Sequence, residues 1–131
     1  VVPAVNQGIL TVQFLRGRDD LRGLFRPLVQ RETQAAFEAE RMCVTVLNAD
    51  CHSAVGACAV VRGRRVRLTA RALSVDGREC VELSEEGRVE EAAEVGRRAA
   101  TGLLNRGAAR LILEASRQRA KLAGRSRDAD D

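Results

Sequence analysis

GACAVVRGRRVRLTARALSVDGRECVELS, residues 56–84, is the stretch whose reading decides the fold. In its middle Val66, Leu68, Ala70 and Ala72 alternate with Arg65, Arg67, Thr69 and Arg71, so one face of a strand is buried and the other is basic and wet. Arg62-Gly63 and Val75-Asp76-Gly77 punctuate the stretch as turns and divide it into three β-rich runs, 56–62, 64–74 and 78–84. An antiparallel three-stranded meander follows, and helices must cover its apolar face.

Two periodic segments supply that cover. Upstream, Ala35, Ala36, Ala39, Met42, Cys43, Val46 and Leu47 keep a three- and four-residue rhythm that predicts a helix over 30–47, with Arg31, Glu38 and Arg41 on the opposite side. Asn48-Ala49-Asp50 stops it, which leaves Cys51-His52-Ser53 in the loop before the first strand. Downstream, residues 90–105 carry acids in the first turn and a stripe from Ala93 to Leu104, with Gly107 as a stop; 108–115 reads as a final helical segment. Past Ser116 a polar tail, 117–131, either extends that helix or frays. At the other end, GILTVQFL (8–15) reads as a strand, and Leu21, Leu24, Phe25 and Leu28 as a short helix of about two turns that Pro27 disturbs. The fold class is therefore α+β, a three-stranded antiparallel sheet with helices on one face, preceded by a strand and a short helix.

Composition bounds the function. The 131 residues are 45% hydrophobic and suit one domain, and with three Phe, no Trp and no Tyr the core must be aliphatic, which excludes an aromatic ligand cage. No run of 18 apolar residues and no signal-peptide pattern occurs, so no membrane span and a cytoplasmic location are expected. The chain lacks an initiator Met and opens on an apolar stretch, as a piece of a longer protein would. Cys43, Cys51, Cys58 and Cys80 contain no C-x-x-C pair and read as free thiols, and zinc ligation is set aside for want of paired ligand spacing. Cys43, Cys58 and Cys80 fall on apolar-periodic or strand positions and read as small core residues, whereas Cys51 sits on a reachable loop, next to an Asp50 that would raise its pKa. The net charge of +4 is carried almost wholly by Arg, which grips carboxylates and phosphates bidentately. A basic binding domain using Arg62, Arg64, Arg65 and Arg67 on an anionic partner is thus one functional class; nucleic acid is disfavoured because no aromatic interleaves those arginines. Walker A, G-x-G-x-x-G, G-x-S-x-G and H-E-x-x-H patterns are absent.

The second class comes from a resemblance. VPAVNQGILTVQ (2–13), AFEAERMCVTVLNADC (36–51), GACAVVRGRRVRLTARALSVDGRE (56–79) and LLNRGAARLILE (103–114) resemble, in order and at consistent spacing, the C-terminal part of the porphobilinogen deaminase (hydroxymethylbilane synthase) family. The family's Gly-Gly before its cysteine is Ala49-Asp50 here, His52 stands where Gln is usual, and Asn6 replaces a turn Gly. The resemblance implies that Cys51 carries a dipyrromethane cofactor through a thioether, with Gln7 near it. A soft thiol suits the role, because it traps the electrophile left when an aminomethylpyrrole loses ammonia. It also implies that 1–28 returns to the first domain of a full enzyme and that 29–116 is the cofactor-tethering domain. The full enzyme would join four porphobilinogen units into hydroxymethylbilane in tetrapyrrole and heme biosynthesis. Porphobilinogen, the growing polypyrrole chain and the N-terminal domains would be its partners. The family's catalytic Asp and carboxylate-holding arginines belong to those earlier domains, so this chain alone holds no catalytic residue and is expected to be inactive. Without those domains, the strand at 8–15 is expected to pair with another chain, by self-association, or to pack irregularly.

Overall fold

A computed structural model describes residues 2–49 and 53–127. After an irregular start come α1 (Asp19–Phe25), a 3-10 turn (Arg26–Leu28) and α2 (Arg31–Leu47). The strands β1 (Val55–Arg62), β2 (Arg65–Leu73) and β3 (Cys80–Arg88) follow, then a 3-10 turn (Val89–Glu91), α3 (Ala92–Asn105) and α4 (Ala108–Arg127). The strands lie in the order β1-β2-β3, both pairings antiparallel. This is the α+β meander that the alternation at residues 65–72 predicts.

The inner face of the sheet is built from small and branched residues. Ala57, Val66, Leu68, Ala70 and Ala72 are fully buried, and they meet Ala35, Ala39 and Cys43 of α2, Val95, Ala99 and Leu103 of α3, and Leu111 of α4. Alanine at so many facing positions lets the helices approach closely. The tightest point is Gly96, where a Cβ would lie 2.1 Å from the Ala39 carbonyl oxygen, so only glycine lets α3 cross α2 there.

Several elements differ from the sequence reading. Residues 9–15 form no strand; Leu10, Val12 and Leu15 are exposed, and the irregular branch of the expectation is what is observed. The reason is a missing neighbour: the chain crosses the sheet at Gly56, where a Cβ would lie 2.9 Å from the Pro3 carbonyl, and the Ala59 N–H of the β1 edge is already taken by a side chain. The turn before β3 is wider than the Asp-Gly signal suggests, because Ser74 N–H donates to the Glu79 carbonyl at 2.9 Å and Glu79 N–H returns to Ser74 Oγ at 2.9 Å. β3 therefore begins at Cys80 and runs to Arg88. The tail takes the helical option, α4 continuing to Arg127.

Candidate functional site

The loop that carries Cys51 enters and leaves at fixed points. α2 closes on Asn48 in the left-handed conformation (φ 50°), with Asn48 N–H donating to Thr45 O at 3.2 Å and Ala49 N–H to Val44 O at 3.3 Å. These bonds satisfy the last helix carbonyls, and Asn tolerates this backbone better than most residues. Ala49 packs against the core. On the far side Val55 N–H donates to Ser53 O at 2.7 Å, and Leu73 N–H donates to Ala54 O at 2.9 Å, which fastens the outgoing chain to β2. Asp50, Cys51 and His52, between these anchors, lie outside the described residues.

The rung at Leu73 leads directly into the Ser74–Glu79 turn, which is itself braced. Ser74 Oγ donates to Asp76 Oδ1 at 2.6 Å and Arg78 N–H donates to the same oxygen at 3.2 Å. The Ser74 hydroxyl first, then the Arg78 amide, holds the Asp76 carboxyl below its usual range. Arg110 of α4 pairs with Glu79 in the turn and, at 3.1 Å, with Glu114 of its own helix. The corner next to the loop is thus tied to the sheet and to α4.

The other sequence-derived candidate, Gln7, is exposed in a turn of residues 4–7, where its N–H donates to Ala4 O at 3.3 Å. What holds that turn is a residue that sequence reasoning passed over. Glu40 of α2 is only 6% exposed, and its carboxylate accepts Asn6 N–H at 2.7 Å through one oxygen and Ala59 N–H at 2.7 Å through the other. A signal for it existed: Glu40 stands on the apolar stripe between Ala36 and Cys43, where a solvated acid has no place. Gln7 follows this latch by one residue and so lies beside the middle of β1. That is about 13 Å along the strand from Val55, where the loop arrives. Asn6, with φ 57°, has a buried side-chain oxygen without a hydrogen-bond partner among the described residues.

The remaining cysteines differ from one another. Cys43 is fully buried in α2, and burial, reinforced by the Glu40 charge, pushes its thiol up to about 11, which keeps it protonated and inert. Cys58 and Cys80 correct the expectation of core residues. Cys58 pairs with Thr69 on the outer face and is half-buried, because the alternation places Ala57 and Ala59 inward. Cys80 is exposed opposite Leu73, at the same end of the sheet as Ala54.

The outer face is less basic than β2 alone suggests. β3 sets Glu86 beside Arg65 at 2.9 Å and Glu82 against Arg71, and Thr69 and Ser84 share a hydroxyl hydrogen bond at 2.9 Å. Among the described residues no group of His, Cys, Asp and Glu could hold a metal ion, and no helix is long and apolar enough to cross a membrane.

Comparison with known proteins gives one family. The model of the porphobilinogen deaminase C-terminal domain matches residues 35–105, a span that includes Glu40 and Cys51 and leaves Gln7 outside. The porphobilinogen deaminase of Bordetella parapertussis is 34% identical over 113 residues, covering 86% of this chain and 36% of the relative. Those of Coxiella burnetii and Desulforamulus reducens are each 31% identical over 113 residues, covering 86% of this chain and 37% of the relative. The chain spans little more than a third of the length of the curated relatives it matches.

Proposed function

Because this chain belongs to the family of porphobilinogen deaminase C-terminal domains, we propose that it is the tethering arm of such an enzyme, with Cys51 holding dipyrromethane by a thioether. The observation that carries this reading is the anchored loop. Cys51 falls three residues after the Asn48 cap and three before Ala54, so a group bound to it stays tethered close to two fixed points while the domain is carried as a unit.

The residues present fit such a group. Burial withdraws Cys43 from chemistry, and among the remaining thiols the family resemblance points to Cys51. Gln7, exposed next to the Glu40 latch, would contact the group. When bound, dipyrromethane supplies the pyrrole end onto which further units are joined. The chain's own part is mechanical. α2 and β1 orient the loop, Glu40 keeps the returning segment against β1, and the exposed Leu10, Val12 and Leu15 meet the rest of the full protein or, in this chain alone, a second copy. The whole enzyme would condense four porphobilinogen into hydroxymethylbilane with loss of ammonia, a step of tetrapyrrole and heme biosynthesis. Its catalytic groups would come from the preceding domains.

The test is intact mass and peptide mapping of protein expressed from the full gene. Two linked pyrroles on the Cys51 peptide are expected. An active enzyme whose adduct maps to the exposed Cys80, or which carries none, overturns the assignment of the anchor.

A further inference from the structure

The end of the sheet away from the Cys51 loop carries an arrangement that tethering does not use. Arg62, Arg65 and Arg88 stand directly opposite one another in the rungs Arg62–Arg65 and Arg65–Arg88. Like charges facing across an antiparallel ladder oppose its pairing, so three arginines in one row are a local cost that the sheet carries. Acids offset only part of it. Glu86 is engaged by Arg65 at 2.9 Å, and Glu90 stands 3.9 Å from Arg64. Arg62 and Arg67 enter no ion pair among the described residues, although Arg67 faces Glu86 in register.

These side chains also enclose space. Arg62, Arg65 and Arg67 line a groove of about 500 Å³ on the outer face together with Val2, Val60 and Glu86, Val60 standing opposite Arg67 in register. On such a face directly opposite Cβ atoms lie about 5 Å apart and diagonal ones about 7 Å, so the three guanidinium groups can converge on one ligand. We propose that this groove binds a compact polyanion, a small molecule with two or more adjacent phosphate or carboxylate groups.

The arginines of the groove suit that ligand class, while the Glu86 carboxylate that also lines it is engaged by Arg65. Planar guanidinium groups bind such oxyanions bidentately, and two of the three here have no partner to give up. The pair with Glu86 leaves Arg65 a fixed neighbour rather than a free cation. Val2 and Val60 add apolar surface beside the arginines. Without an aromatic lining residue no nucleobase can stack, which favours a small anion over a nucleic acid strand. The Arg62 end of the groove is about 23 Å along β1 from Val55, where the Cys51 loop arrives, although Cys58 and Val2 carry its other end back towards Gly56.

Isothermal titration of the 131-residue chain with inorganic pyrophosphate, and separately with citrate, at low salt is the test. One saturable site is expected, and the stronger of the two probes tells phosphate from carboxylate as the ligand chemistry. The double variant Arg62→Gln/Arg67→Gln should lose affinity by about tenfold or more, while Arg78→Gln, on the distant turn, should bind normally. Folding is checked in the same variants without ligand, where removal of one of two facing like charges in Arg62→Gln should leave the thermal midpoint unchanged or raise it. No saturable heat with either probe, or equal binding by the double variant, would overturn the proposal. So would a lowered midpoint in Arg62→Gln, since the arginines would then be serving the fold.

Discussion

Residues 9–15 and residues 65–72 are both β-rich, yet only the second stretch is a strand. ILTVQFL exposes Leu10, Val12 and Leu15, whereas Val66, Leu68, Ala70 and Ala72 are buried without remainder. The difference lies in partners. β2 has a strand on each side and three helices beneath it, while the first stretch finds the β1 edge occupied by Pro3 and by the Glu40 carboxylate. β propensity describes fit to a half-buried pleated surface, and where no such surface is offered it has nothing to act on.

The contrast can be broken most sharply at Gly96. Gly96→Val would force a side chain into the Ala39 carbonyl and part α2 from α3, costing about 3 kcal/mol or more, seen as a large drop in the urea midpoint. Next comes the latch that joins the two regions. Glu40→Ala leaves the Asn6 and Ala59 amides without their acceptor and should cost about 2 kcal/mol, with faster amide exchange at both positions. Glu40→Gln should recover part of that loss, since one amide oxygen still accepts; equal exchange at Asn6 in both variants would show that the turn holds by itself.

A smaller effect should appear with alkali. The folded Cys43 thiol titrates near 11 against 9.0 when unperturbed, so the folded state keeps its proton where the unfolded state loses it. Stability is therefore unaffected below pH 9 and falls as pH rises towards 11. With no Tyr and a single Lys, few other groups obscure this window, and Cys43→Ala should flatten the slope of denaturation midpoint against pH. The smallest effect belongs to the first stretch: Leu10→Ser should change stability by less than about 0.5 kcal/mol. The same variant should lower any self-association measured by sedimentation; a marked loss of stability instead would mean that residues 9–15 pack within the chain.

Much of the body was legible because hydrophobic alternation and helical periodicity are local. Val66 to Ala72 and Ala35 to Leu47 announce their faces without knowledge of the rest. Where the reading slipped, the cause was a nonlocal or side-chain bond. β3 starts at Cys80 because Ser74 and Glu79 exchange hydrogen bonds across the turn, and Asp-Gly alone does not reveal them. Cys58 was misplaced because a run of small apolar residues, ACAVV, does not declare which of its faces is inner. At the candidate site, the end of α2 at Asn48 was legible, but the role of Glu40 depends on donors 34 and 19 residues away. An acid on an apolar stripe says that a partner exists without saying which one.

Those two separations also differ in chain entropy. The meander closes through short turns, and the Glu40 bond to Ala59 can form as soon as β1 settles on α2. The Asn6 bond closes a loop of 34 residues against 19, which costs about 0.5 kcal/mol more in chain entropy. The donor is the Asn6 backbone N–H, so only a residue that resists its left-handed backbone (φ 57°), such as Asn6→Val, should speed the release of the leading segment while leaving the refolding rate of the body almost unchanged. Losing the Asn6 bond would free the leading turn while Glu40 keeps its hold on Ala59.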